Sequence, residues 1–101
     1  MEVEVRLFAT FREAVGERAI RREVGEGATV GDLLRGLERE YADLDGTLLD
    51  ADGSVRASIT VLRNGENVAR SDGTGTALRD GDRVALSLPV TGGTAARADQ
   101  Y

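Results

Sequence analysis

Cysteine, histidine and lysine are all missing from the 101 residues, and each absence removes a class of chemistry. Without cysteine there is no disulfide, no thiolate metal site and no nucleophilic thiol. Without histidine the commonest general base near neutral pH and the commonest zinc ligand are gone. Without lysine there is no Schiff base and no P-loop lysine. Aromatics are scarce, with two Phe and two Tyr, and there is a single Pro. The N-terminal segment lacks the basic-then-apolar order of a secretory leader, and no run of about 18 apolar residues occurs. A soluble, cytoplasmic protein without metal or cofactor is expected.

What is present is charge. Eighteen acidic residues face thirteen basic ones, all Arg, for a net charge of −5 and a pI near 4.7. The acids are spread along the chain, so neither nucleic acid nor a membrane is an expected partner. A surface of Asp, Glu and Arg suits a cytosol of high salt; GC-rich codon usage produces the same composition. At 41% apolar, the chain can build one modest core, and its length allows one domain.

Along the chain, Val3, Val5 and Leu7 alternate with charge, which predicts a half-buried strand over 2–8. Thr10 and Glu13 have the spacing of a capping box, with Gly16 as a stop, and predict a short helix. A weaker strand is expected over 18–24. Val30, Leu33, Leu34, Leu37 and Tyr41 fall on one helical face, with Thr29 as the N-cap and Asp32 three residues on. That is the main helix, about 30–41.

Asp45-Gly46 and Asp52-Gly53 are turn signals, and Leu48 and Leu49 between them suggest a short 3₁₀ segment. A strand over 57–63 ends at Asn64-Gly65, a tight-turn dipeptide, and a short strand is expected around Val68. Residues 71–75 read as flexible. Val84, Leu86 and Leu88 alternate as a last strand, which Pro89 ends.

In order and spacing these pieces resemble a family. Val5-Arg6-Leu7-Phe8-Ala9, Thr29-Val30-Gly31-Asp32-Leu33-Leu34, Val61-Leu62-Arg63-Asn64-Gly65 and Leu78-Arg79-Asp80-Gly81-Asp82 carry the likeness. So does the lead from Val84 through Pro89, Val90 and Thr91 into Gly92-Gly93. They resemble the MoaD and ThiS sulfur carriers and, as closely, the ubiquitin-like small archaeal modifiers. The resemblance implies an α+β, β-grasp fold over residues 1–90. Its four- to five-stranded mixed sheet has one main helix on one face and parallel first and last strands. A flexible tail, 91–101, carries Gly92-Gly93.

It also implies function. The working group is the carboxylate of Gly93, activated by an E1-like adenylating enzyme to an acyl-adenylate. It is then converted to a thiocarboxylate or joined to lysines of target proteins. A molybdopterin-synthase large subunit is a further partner. Pro89, Val90, Thr91 and Gly92 are the segment an enzyme would recognise, since glycines let the backbone enter a narrow channel. No catalytic side chain is required, and a monomer is expected. In the family the chain ends at the second Gly, whereas here Thr94 to Tyr101 follow. A processing protease is therefore implied. The alternative is a β-grasp interaction module that is never processed or conjugated.

Phe8, Leu62 and Ala85 are out of phase with the inward residues of their strands, so they form a candidate partner patch on the open sheet face. Two other motifs give way. Leu88-Pro89-Val90-Thr91-Gly92 spells a sortase signal but lacks the apolar span and basic end. Asp43, Asp45, Asp50 and Asp52 do not match the calcium-loop spacing and read as a solvated loop. Because scattered like charges repel and salt screens them, stability should rise between low and molar salt. Denaturant melts across that range check this; a flat or falling trend contradicts the high-salt reading.

Overall fold

The computed structural model describes residues 1–88; the expectations for Pro89 and the 91–101 tail lie outside the described residues. Strand β1 spans Glu2–Leu7, helix α1 Ala9–Val15, β2 Ala19–Glu23, helix α2 Val30–Glu40, β3 Thr60–Arg63, β4 Glu66–Asn67 and β5 Arg83–Ser87. The five strands form one sheet in the order β2-β1-β5-β3-β4. All neighbours are antiparallel except the central pair, β1 and β5, which run parallel with Val5 opposite Val84 and Leu7 opposite Leu86.

Alternation decides which face is covered. Val3, Val5, Leu7, Val61, Val84 and Leu86 are each at most 1% exposed. They meet Val30, Leu33, Leu34 and Leu37 of α2, the apolar stripe read from the sequence. Leu44, Leu48 and Leu49 close one end of this core. Helix α2 pins them through Glu38, whose carboxylate accepts from the backbone N–H groups of Leu48 (2.9 Å) and Leu49 (3.1 Å).

The N-terminus of α2 is capped as expected. Thr29 Oγ1 accepts from the Asp32 N–H, and Asp32 accepts from the Thr29 N–H. That backbone N–H, followed by the Arg35 guanidinium at 2.7 Å, holds the Asp32 carboxyl below its usual range. Asn64-Gly65 also behaves as read: both φ angles are positive, 50° and 88°, as a type I′ hairpin turn requires.

Five local expectations change. The Thr10–Glu13 capping box does not form: α1 starts at Ala9 with Phe8 as its N-cap and no side-chain cap. Ala9 takes φ 53°, so the chain turns into the helix directly from β1 and buries Phe11. The 3₁₀ turn near Leu48 lies earlier, at Ala42–Leu44, because it continues from the end of α2. Val68 belongs to a 3₁₀ turn, Val68–Arg70, after the two-residue β4. Residues 57–58 stay outside β3, since the Ile59 N–H bonds back to Arg56 O. Finally, Gly73–Gly75 forms a 3₁₀ turn packed on α2. A Cβ on Gly31 would lie 2.9 Å from Thr74 Cβ, so this approach requires glycine at 31.

Asp82, 6% exposed, ties the start of β5 to the β3–β4 turn. Its carboxylate accepts from Arg63 Nε (2.8 Å), Asn64 Nδ2 (3.0 Å) and the Arg79 N–H (2.8 Å). Burial pushes its pKa up, but the hydrogen bonds from Asn64, Arg79 and Arg63 outweigh that and hold it below the usual range. A depressed folded-state pKa stabilises the protein above the unfolded value of about 3.9. That contribution is lost as pH falls from there through the folded value. Asp82→Asn should cost about 2 kcal/mol at neutral pH. It should also flatten the acid limb of stability against pH, as read by urea melts from about pH 6 down to about pH 2.5.

Candidate functional site

The face of the sheet away from α2 carries no helix among the described residues, and there the three patch residues come together. Arg6 and Leu62 both stand opposite Ala85, from its two sides, in the ladders of β1 and β3. Phe8 follows β1 at the same end, where its N–H donates to Leu86 O at 3.1 Å. Phe8, Leu62 and Ala85 are each half-buried. With Arg6, Gly65 and Arg83 they line a shallow concavity of about 360 Å³. Their inward neighbours are buried, and these three line the other side of the sheet.

The backbone explains why Phe8 points here. Leu7 fills the core side, so the next residue faces out. The left-handed turn at Ala9 then carries the chain away, and Phe11, not Phe8, enters the core.

Charge borders the apolar centre. Glu4 lies between Arg83 (3.2 Å) and Arg6 (3.5 Å), so two guanidinium groups share one carboxylate. All three are at least a quarter exposed, so these pairs contribute little to stability but set a local positive excess. A residue-by-residue phase argument finds the apolar members; the Arg6–Glu4–Arg83 row, which the sequence reading missed, appears only once β1 and β5 are paired. Its one sequence signal is the alternation of charge along β1.

Strand β5 runs parallel to β1, so it delivers its C-terminal end beside Phe8. Leu88, expected within the last strand, lies past the strand end and is 41% exposed, the one large hydrophobic side chain so exposed among the described residues. The expected recognition segment Pro89, Val90, Thr91, Gly92 and the reactive Gly93 lie outside the described residues. A larger hollow, about 510 Å³, opens elsewhere, against the core side chains Ile59, Val61 and Val68 rather than on this face.

The acidic loop has a structural use. Asp50 Oδ1 accepts from the N–H groups of Asp52 (2.9 Å) and Ser54 (3.0 Å) and so shapes its own turn. Among the described residues no three acidic side chains gather as a metal site would need, and no helix is long and apolar enough to cross a membrane.

Known proteins share this architecture. The ThiS family model matches residues 5–93, through Gly93. Small archaeal modifier protein 3 of Haloferax volcanii is 53% identical over 93 residues, which cover 92% of this chain and all of that one. The molybdopterin synthase sulfur carrier subunit of Chlamydomonas reinhardtii is 34% identical, again over 92% of this chain and all of its own length. The crystal structure of small archaeal modifier protein 1 from Haloferax volcanii superposes with a TM-score of 0.77 at 40% identity, covering 92% of this chain and all of that one. The family match and these identities, over the same β-grasp fold, make this chain a member of the ThiS family.

Proposed function

We propose that this chain is a ubiquitin-like carrier that works through the carboxylate of Gly93, both in sulfur carriage and in protein modification. The observation that carries the reading is the family match, which runs from β1 through Gly92-Gly93. Relatives named as a protein modifier and as a sulfur carrier each align along their whole length. One activated intermediate serves both roles. An adenylating enzyme joins the Gly93 carboxylate to the α-phosphate of ATP and releases pyrophosphate. Hydrosulfide then attacks the acyl carbon, AMP leaves, and a thiocarboxylate results. Alternatively a lysine amine of a target protein attacks, AMP and a proton leave, and an isopeptide bond forms. No step needs a side chain of this protein as acid, base or nucleophile, in keeping with its lack of Cys, His and Lys.

The open face is the docking surface for the E1-like enzyme and for a synthase large subunit. Phe8, Leu62 and Ala85 supply the apolar contact, and β5 ends beside Phe8. Pro89, Val90, Thr91 and Gly92 are the segment that enters the enzyme channel. A protease removes residues 94–101 first, because an internal amide has no carboxylate to adenylate. The protein acts in the cytoplasm as a monomer. The Asp, Glu and Arg surface fits a high-salt cytosol and agrees with the Haloferax matches.

Phe8→Asp or Leu62→Asp should weaken binding to the adenylating enzyme at least about tenfold. The melting temperature should stay close to that of the parent, because both side chains are half-buried outside the core. Titration calorimetry with parallel melts reads both. The full chain should be inert in ATP–pyrophosphate exchange, and truncation after Gly93 should restore exchange. Gly93→Ala in the truncated chain should cut the rate by about tenfold or more. Among the described residues the core runs from Val3 to Leu86, so that truncation should change stability by less than about 1 kcal/mol. Equal exchange by both forms would move the reaction to another carboxylate, and exchange by neither would leave an unconjugated interaction module.

A further inference from the structure

Of the groups that can accept an acyl chain as an amide or a thioester, this sequence keeps almost none. All thirteen basic side chains are Arg, and there is no Lys and no Cys. A guanidinium carries its charge without a free lone pair, because it stays protonated in proteins. The exposed cations Arg12, Arg35, Arg39 and Arg70 therefore supply charge and no nucleophile. The one primary amine in the 101 residues is that of Met1.

The fold holds that amine in place. Met1 N donates to Val24 O at 2.9 Å, and Met1 O accepts from the Val24 N–H at 2.8 Å, so this pair continues the β1–β2 ladder past Glu2 and Glu23. On its other side Glu2 is fixed to the turn that precedes β5. Its N–H donates to Asp80 Oδ1, and its carbonyl accepts from the Gly81 N–H, both at 2.8 Å. The Met1 side chain packs against the core, and the Glu23 carboxylate lies 4.0 Å from the ammonium. Terminal residues ordinarily fray, whereas one tied into a sheet from both sides is held.

We propose that this chain is a donor only: it accepts neither an activated copy of itself nor another carrier, so each modified lysine bears a single copy, and a chain of carriers ends where this one is added. To accept, the Met1 amine would have to leave Val24 O and turn its lone pair to the acyl carbon of an activated Gly93. An amide would form there as AMP and a proton leave. The ladder pair keeps the amine from that approach. The same property protects the activated form, since an adenylate or thiocarboxylate that meets other copies finds no free amine to consume it. The donor half rests on the Gly93 reading; the acceptor half stands on the missing Lys and the Met1–Val24 pair alone.

The first test needs no enzyme. The full chain and the free peptide Met-Glu-Val-Glu-Val-amide are acetylated with the N-hydroxysuccinimide ester of acetic acid at one pH, and the modified amine is followed by mass spectrometry. Met1 of the folded chain should react at least about tenfold more slowly than the peptide, and denaturant should bring the two rates together. Arg39→Lys, at an exposed position of α2, should add a fast-reacting site. Equal rates for the folded chain and the peptide would overturn the proposal whatever happens at Gly93. The second test reads conjugates from the protein's own cells. Trypsin cuts after Arg83 and leaves the segment 84–93 on the acceptor. That remnant should appear on target lysines and never on Met1, and Arg39→Lys should give copies joined to copies. A remnant on Met1 of the parent, or conjugates of Arg39→Lys that stay single, would overturn the proposal. Absence of any conjugate would sink the Gly93 reading in protein modification, and the acetylation rates would still decide the acceptor half.

Discussion

The parallel pairing of β1 with β5 is the constraint on which everything else rests. The two strands are far apart in sequence, yet Val5 meets Val84 and Leu7 meets Leu86 at the centre of the sheet. Closing so long a loop costs entropy before any contact repays it. The repayment is the apolar layer that α2 can cover only once both strands lie together. Polar contacts lock the register at the start of β5. Glu4 N–H donates to Asp82 O, Gly81 N–H to Glu2 O, and Glu2 N–H to Asp80 Oδ1.

Functional geometry depends on that pairing. Parallel strands end on the same side, so the end of β5 emerges beside Phe8, the residue that leaves β1. A partner on the open face would thereby also meet the end of β5 at Leu88. On the proposed reading a surface carries specificity and a main-chain carboxylate the chemistry, so group transfer needs no Cys, His or Lys of this chain. The exposed Arg6–Glu4–Arg83 row beside the apolar centre contributes little net stability.

The same sheet leaves its other surfaces unequally exposed. α2 covers one face, β4 is too short to recruit a strand, and β2 stays long. Arg22 is drawn to the helix side by Glu40 and Tyr41 and caps one edge carbonyl, which blunts the edge without covering it.

The sequence by itself determined the elements whose physics is local. The α2 stripe and its Thr29–Asp32 cap, the Asn64-Gly65 turn, the stop at Gly16, and the outward phase of Phe8, Leu62 and Ala85 depend on neighbours within a few positions. The lack of reactive side chains also bounded the chemistry. Tertiary structure decided the features that depend on partners far along the chain. Core burial of Phe11 and the turn at Ala9 displaced the Thr10–Glu13 cap, and packing on α2 ordered Gly73–Gly75. The meeting of Arg83 and Glu4 and the threefold bonding of Asp82 both require strands that only the closed sheet sets side by side. Periodicity carries the phase of a residue, and only the packed chain carries the identity of the group that faces it.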